Sequence, residues 1–409
     1  MFTVFVFLAV RLLGVTSSTV PLNSDVYTDP RCQGNIKNLW LDIMVVVDKS
    51  QLMTNAQLWQ VRNTISQVFG AVSTFGPTKY PADPRSTCVG LVTYDGNATV
   101  NAQYDTSKSF NDFYNVIQGS LVSVDSTNSS YLSRGLLAAE QALKDGRSRT
   151  YRFNFKRVII AFAADYQGTG TSLDPVPTAN RLKNNGVIVI TVACTSDKNA
   201  ISKIQSLASP GYSFVDEMNT SQLVKQLTNA LLSANCFCPQ ESVQYKDDYF
   251  NETSTKYGIC VTGYTATGGS YGYPHAMEWC DYEIKNSYLV SEFSQNKHEF
   301  VKNYMLDKFK YMKPTAYYIG LHYVDNQWVW EQPLHQPKLP FNPNGYSNWA
   351  PGYPQSNSTG QVIASQAWTN GSLNYVWAPP QVFDFLLVCQ VQSSSTEYYT
   401  TYSEQESPF

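Results

Sequence analysis

Carboxylate and hydroxyl side chains follow two apolar stretches in the first half of this sequence. Asp48 and Ser50 come directly after the apolar stretch at residues 43–47, and Asp165 follows the stretch at residues 158–163. Carboxylate and hydroxyl oxygens are the ligands that a hard divalent cation such as Mg²⁺ prefers. These residue types indicate a magnesium site if the two stretches are strands of one sheet.

A polar loop supplies a further hydroxyl group. Thr127 lies in the loop before the helical segment that leads to the second stretch, and Ser129 and Ser130 are alternatives to it. Asn128 in the same loop begins an Asn-x-Ser sequon, so a glycan attached there would lie beside the metal. The alternative to metal binding is that the polar side chains only satisfy backbone groups at strand ends.

The elements around these residues alternate between strand and helix. We predict strands at residues 43–47, 89–94, 99–104, 158–163, 187–192 and 213–215. We predict helices at residues 56–69, 107–121, 133–143 and 221–232. This alternation predicts a doubly wound α/β domain, in which ligands bind beyond the carboxyl ends of the strands.

With its strand–Asp-x-Ser motif, Thr-Asn loop and Ala-Asp after the central strand, the segment 38–235 resembles a von Willebrand factor A domain. The resemblance implies a metal-ion-dependent adhesion site that holds one divalent cation, such as Mg²⁺. Carried across by position, its ligands are Asp48, Ser50, Thr127 and Asp165. Leu52 stands where the family has a second serine, so one hydroxyl ligand is missing.

The second half carries aromatic motifs between Cys280 and Cys389. They are Tyr318-Ile319-Gly320-Leu321, Trp328-Val329-Trp330 and Trp349-Ala350-Pro351-Gly352-Tyr353-Pro354. We predict helices at 276–282 and 292–308, strands at 317–323, 327–330, 375–377 and 383–389, and a long loop at 341–357. This order over residues 238–392 resembles a C-type lectin-like domain, an α+β fold that binds glycans or proteins.

The positions that hold calcium in that family are altered. Tyr353-Pro354-Gln355 replaces the usual Glu-Pro-Asn or Gln-Pro-Asp, and Trp377-Ala378-Pro379 replaces Trp-Asn-Asp. Because these replacements remove carboxylate oxygens, we expect no calcium ion at the usual sugar site. Tyr346, Trp349 and Tyr353 are the candidate ligand contacts, since aromatic rings stack on sugars and anchor proteins. The alternative is that Trp349 packs within the loop, which leaves Tyr353 as the exposed contact.

Eight cysteines favour disulfides in an oxidising compartment. The lectin resemblance implies bonds between Cys280 and Cys389 and between Cys238 and Cys260. Related A domains join their ends, which implies a bond between Cys32 and Cys236. The remaining two, Cys88 and Cys194, belong to different strands, and we expect buried thiols.

Several features indicate export. Residues 1–18 form a short apolar run that ends in small residues, as in a signal peptide, and no later stretch is long and apolar enough to span a membrane. Six sequons begin at Asn97, Asn128, Asn219, Asn251, Asn357 and Asn370. The predicted segments are a signal peptide (1–18), a linker (19–37), the A domain (38–235), a connector (236–257), the lectin-like domain (258–392) and a disordered tail (393–409).

Charge and histidine content exclude other classes. A net charge of −3 offers no footprint for nucleic acid. The four histidines all lie in the second half, and no nucleotide-binding glycine motif is complete, so we expect no enzyme. The domain pair resembles secreted nematode C-type lectins that carry an A domain, which implies carbohydrate binding or innate immune recognition. The alternative is an extracellular adhesion or matrix protein that binds a protein partner through the A-domain metal.

Overall fold

The structure, a computed structural model, describes residues 24–32, 34–77, 85–153, 155–239, 241–265, 273–312, 316–354, 361–369, 372–379 and 386–398. The predicted signal peptide, Gln355, the sequons at Asn357 and Asn370, and the tail beyond residue 398 lie outside these ranges. Within them, no helix has the length and apolarity needed to cross a bilayer.

The first domain is built on a sheet whose described strands run in the order β3-β2-β1-β4-β5-β6. They are β1 (Asp42–Asp48), β2 (Cys88–Tyr94), β3 (Ala98–Ala102), β4 (Arg157–Ala163), β5 (Ile188–Ala193) and β6 (Ser213–Val215). Only β3, at the edge, is antiparallel to its neighbour among these strands. Every residue of β1 and β2 is buried, because helices cover both faces.

The helices described in this domain are α1 (Asn55–Gly70), α2 (Phe110–Ser120), α3 (Leu132–Thr150), α4 (Pro175–Asn184), α5 (Lys198–Gln205) and α6 (Thr220–Ala234). Helices α1, α2 and α6 pack on one face of the sheet, and α3, α4 and α5 pack on the other. The predicted α/β doubly wound fold is confirmed. The sequence pattern did not predict α4 and α5, two short helices that begin at the side-chain caps Asp174 and Asp197.

The second domain places two helices, α7 (Tyr273–Glu283) and α8 (Gln295–Lys308), against a second sheet. Its described strands are β7 (Val243–Lys246), β8 (Lys256–Thr265), β9 (Tyr288–Leu289), β10 (Ala316–Val324), β11 (Gln327–Trp330), β12 (Leu339–Pro340), β13 (Gln361–Thr369), β14 (Ser372–Ala378) and β15 (Leu386–Gln392). The central order is β12-β11-β10-β15-β8-β7, and the hairpin of β13 and β14 branches from β10. This α+β arrangement is the predicted one.

Several boundaries differ from the prediction, and two of the differences have a direct physical reason. Helix α8 begins at Gln295, not at residue 292, because the side chain of Ser294 accepts a hydrogen bond from the backbone of Lys297 and caps the helix. The last strand runs from Leu386 to Gln392 because its residues pair in register with β8.

All eight cysteines have the predicted state. Disulfides join Cys32 to Cys236, Cys238 to Cys260 and Cys280 to Cys389. Cys88 and Cys194 are buried free thiols. Cys88 begins β2 and Cys194 follows β5, and strands β1 and β4 lie between these two strands.

Three segments predicted as linker, connector or tail are packed. Asp29 and Arg31 of the predicted linker contact the second domain, through an ion pair with Lys297 and a bridge to Tyr257. The predicted connector contains β7, which pairs with β8. The predicted tail is wrong for its first six residues, since Ser394 pairs with Phe237 and is fully buried. Their polar composition suggested unpacked segments, but their backbone groups form hydrogen bonds in the folded chain.

Candidate functional site

Asp48 is the last residue of β1, and its carboxylate is fully buried at the carboxyl end of the sheet. One oxygen accepts a hydrogen bond from the backbone of Ser50 at 2.8 Å, and the other accepts one from the Ser130 hydroxyl at 3.0 Å. Burial raises the pKa of Asp48 to about 6, against the lowering effect of these two hydrogen bonds. Asp48, Ser50 and Ser130 therefore meet at the carboxyl end of the sheet.

Ser130, and not Thr127, supplies the loop hydroxyl. The Thr127 hydroxyl accepts a hydrogen bond from the backbone of Ser129 at 3.2 Å, and its carbonyl accepts one from Gln51 at 2.9 Å. Thr127 thus shapes the loop, whereas the Ser130 hydroxyl lies 3.0 Å from Asp48 and 3.3 Å from the carbonyl of Asp165. The choice of Thr127 was wrong because the loop's conformation, which the sequence pattern does not reveal, decides which hydroxyl reaches the carboxylate.

Asp165 follows β4 and forms an ion pair. Its Oδ1 lies 2.6 Å from Nζ of Lys203 on α5, and this ammonium also donates to the carbonyl of Tyr166 at 3.0 Å. The ammonium lies 4.5 Å from the centroid of the Tyr166 ring. Lys203 was not predicted because α5 was not predicted, although Asp197 before the apolar pair Ala200 and Ile204 is a helix-start signal.

In the second domain, Trp377 of β14 fixes the long loop that begins near residue 341. Its backbone N–H donates to the carbonyl of Asn348 at 2.7 Å, and its carbonyl accepts from Ala350 at 2.9 Å. The Asn348 side chain donates to the carbonyl of Tyr375 at 2.9 Å. The loop is therefore hydrogen-bonded to β14 on both sides of Trp349.

A buried carboxylate lies beneath this loop. Glu292 has no exposed surface, and one of its oxygens accepts a hydrogen bond from the Trp377 indole at 2.6 Å and contacts Nδ1 of His298 at 2.7 Å. Nε2 of His298 lies 3.1 Å from the Asn348 side-chain nitrogen. The contacts that join Glu292, His298 and Asn348 were not predicted, because Glu292 lies before a helix and a glutamate at such a position is usually exposed.

Of the three predicted ligand contacts, Tyr346 and Trp349 pack against strand residues at the base of the loop. The Trp349 ring lies 4.8 Å from Trp328 and 5.7 Å from Trp377, and the Tyr346 ring lies 5.5 Å from Trp377, edge to face. Trp349 is partly buried by these contacts, and whether it also contacts a ligand stays a prediction. Tyr353 is partly exposed, precedes a cis peptide bond to Pro354, and remains the candidate contact.

The four sequons that the structure describes have exposed asparagines, which are Asn97, Asn128, Asn219 and Asn251. Glycosylation at these positions remains a prediction.

Comparison with known proteins gives two family matches. Residues 42–230 match the von Willebrand factor type A domain, and residues 269–376 match the C-type lectin domain. The chain joins a von Willebrand factor A domain to a C-type lectin domain. The predicted pair of domains is confirmed.

One relative is similar to most of this chain and is itself longer than this chain. C-type lectin domain-containing protein 160 of Caenorhabditis elegans is 25% identical over 350 residues, which are 81% of this chain and 50% of the relative. The chain thus spans about half the length of this curated relative.

Solved structures resemble the chain only in part. Mussel byssus proximal thread matrix protein 1 with a zinc-occupied adhesion motif has a TM-score of 0.40 at 17% identity, covering 51% of this chain and 50% of that one. Manganese-loaded TRAP protein of Plasmodium vivax has a TM-score of 0.38 at 10% identity, covering 56% and 88%. At these scores neither structure carries information about what this chain binds.

The residues at the A-domain strand ends do not fit a divalent cation as they stand. Such an ion prefers a shell of oxygen ligands with uncompensated negative charge. Here Leu52 brings no oxygen, and the Asp165 carboxylate is paired with the Lys203 ammonium. Asp48, Ser50 and Ser130 alone supply the remaining side-chain oxygens of this cluster.

Four of the altered positions of the lectin domain also lack suitable donors. Tyr353, Pro354, Ala378 and Pro379 bring no carboxylate or amide side chain. Trp377, at the start of the second altered motif, is fully buried and directs its indole toward Glu292. Among the residues that the structure describes, no three His, Cys, Asp or Glu side chains form a group suited to a metal.

Proposed function

We propose that this protein is a secreted, non-catalytic recognition protein whose lectin domain binds glycans or extracellular proteins without calcium. The observation that supports the proposal is the attachment of the long loop to β14. Hydrogen bonds from Trp377 to Asn348 and Ala350, together with the packing of Trp349, hold the loop in place. These hydrogen bonds and ring contacts therefore order the loop without a bound ion.

The expected ligand surface is small and aromatic. Tyr353 is partly exposed at the end of the described loop, and a tyrosine ring presents an apolar face for a sugar ring and a hydroxyl for hydrogen bonding. Because no ion is needed to hold the loop, binding should not depend on Ca²⁺.

A glycan array read in Ca²⁺ and again in EDTA tests this proposal with the purified full chain. We expect the same glycans to be bound in both buffers, and Tyr353→Ala to reduce their binding. Tyr311→Ala is the matched control, since Tyr311 is 90% exposed outside the long loop. Binding that disappears in EDTA and returns with Ca²⁺ would contradict the proposal.

The convergence of Asp48, Ser50 and Ser130 favours a second function, adhesion to a protein through the A domain. Two results together would support adhesion over glycan recognition. The array would show no bound glycan, and a protein partner would bind the parent but not Asp48→Asn.

A further inference from the structure

We propose that Lys203 takes the place of a divalent cation at the strand ends of the A domain, so that this site is built to work without metal. The proposal concerns the A domain alone and goes beyond the glycan or protein recognition proposed for the lectin domain. It rests on the position of one ammonium group and on the residues that hold it.

The ammonium is held by three contacts. It lies 2.6 Å from Oδ1 of Asp165 and 3.0 Å from the carbonyl of Tyr166, and it stands 4.5 Å from the centroid of the Tyr166 ring. The same Oδ1 accepts the backbone N–H of Tyr166 at 2.7 Å, which fixes the carboxylate. These contacts place a positive charge beside the distal carboxylate of the strand-end cluster.

Helix α5 fixes the origin of this side chain. Asp197 caps the helix, and Ala200 and Ile204 are buried on its inner face. Ile204 follows Lys203 directly and is fully buried in the core, so the backbone beside the lysine is anchored. The packing of α5 therefore fixes the backbone position from which the Lys203 side chain reaches Asp165.

Two independent features of this cluster act in the same direction. A divalent cation would have to displace the ammonium from Asp165 or remain close to it, and like charges repel each other. Leu52 has already removed one oxygen ligand from the same cluster. A missing donor and an added cation both weaken metal binding.

The ion pair between Lys203 and Asp165 contributes little to the stability of the folded domain. The side chains of Lys203 and Asp165 are 36% and 40% exposed, and ion pairs with such exposure contribute little to folding. A neutral side chain at position 203 should therefore leave the domain folded while it exposes the carboxylate of Asp165 to an incoming cation.

Titration of Mn²⁺ into the full chain, followed by calorimetry and by electron paramagnetic resonance of free Mn²⁺, tests the proposal. We expect the parent protein to show no saturable binding, and Lys203→Met to bind Mn²⁺ at least tenfold more tightly than the parent. The double variant Lys203→Met/Asp165→Asn should lose this gain.

Two control variants separate charge at position 203 from charge elsewhere. Lys203→Arg keeps a cation and should behave as the parent, and so should Lys198→Met, which removes an exposed lysine of the same helix. Circular dichroism establishes folding, and Lys203→Gln replaces the methionine variant if that one is unfolded.

Parent protein that binds Mn²⁺ as tightly as Lys203→Met overturns the proposal. So does a folded neutral variant that gains no affinity. Neither result depends on the glycan array, because no ligand of the lectin domain enters the titration.

Discussion

Glu292 and His298 form a buried charged pair within the lectin domain. Burial lowers the pKa of His298, but the charge of Glu292 and the contact with its carboxylate outweigh burial, and the pKa lies above its ordinary value of 6.5. A carboxylate removed from water needs such a partner, because an unpaired buried charge is costly. Nε2 of His298 lies 3.1 Å from the side-chain nitrogen of Asn348, so the pair lies directly beside the loop.

The stability of the lectin domain should depend on pH through this pair. Because the folded pKa of His298 is raised, its contribution is fully present below about pH 6.5 and is lost as pH rises through the folded pKa. Urea unfolding followed by tryptophan fluorescence measures this domain, since of the eight tryptophans only Trp40 and Trp59 lie in the A domain.

His298→Gln should lower the free energy of unfolding by roughly 1–3 kcal/mol at about pH 6 and should flatten its pH dependence. His335→Gln, at an exposed position, should keep the parent's slope. An unchanged slope in His298→Gln would show that another group is responsible.

Single residues were predictable where a strand end fixes them. Asp48, Ser50 and Asp165 follow apolar strands, and the rule that such ends share one sheet edge places them together. Ser130 was named only as an alternative to Thr127, and Glu292 and Lys203 were missed, because a loop conformation, the buried segment before α8 and the short helix α5 decide their positions. Those features depend on tertiary packing and leave a weak local pattern.

At the scale of elements, the long loop acts as an added edge beside β14. Trp349 pairs with Trp377 in a parallel bridge, and Asn348 bonds to the strand through both its backbone and its side chain. The sequence predicted a long loop and its aromatic residues, but not this pairing. Irregular segments carry no periodicity from which a partner strand can be inferred.

Asn348→Ala should loosen the loop. It removes the donor to the Tyr375 carbonyl and the contact with His298, which should lower the free energy of unfolding by about 1–2 kcal/mol. Limited proteolysis should then cleave the loop near residues 341–354 faster than in the parent, in Ca²⁺ and in EDTA alike.

Asn344→Ala is the matched control, because Asn344 is an exposed residue of the same loop. Equal cleavage rates in the Asn348 variant and in this control would mean that the loop is held by its aromatic packing alone.

At the scale of the molecule, segments far apart in sequence cross between the domains. Asp29 pairs with the fully buried ammonium of Lys297, which also donates to Gln390 at 2.8 Å. The Trp40 indole of the A domain donates to the carbonyl of Ser395 at 2.8 Å. Both domains and their disulfides were predicted from the sequence. The segments that carry Asp29 and Ser395 were predicted as linker and tail because their composition is polar.

Asp29→Asn should destabilise the protein by roughly 3–5 kcal/mol, because it leaves the Lys297 ammonium buried without its anionic partner. The double variant Asp29→Asn/Lys297→Met should recover most of this loss. Urea unfolding of the parent, both single variants and the double variant gives the coupling energy. A coupling energy near zero would mean that Asp29 and Lys297 do not interact in solution.

The bond between Trp40 and Ser395 also bears on how the protein is made. The two residues are 355 positions apart, so a ribosome adding about 5–20 residues per second reaches the second roughly 20–70 s after the first. During that interval the indole edge of Trp40 lacks its final cover, even when the rest of the A domain has folded. An unfinished chain therefore differs from a finished one at this tryptophan.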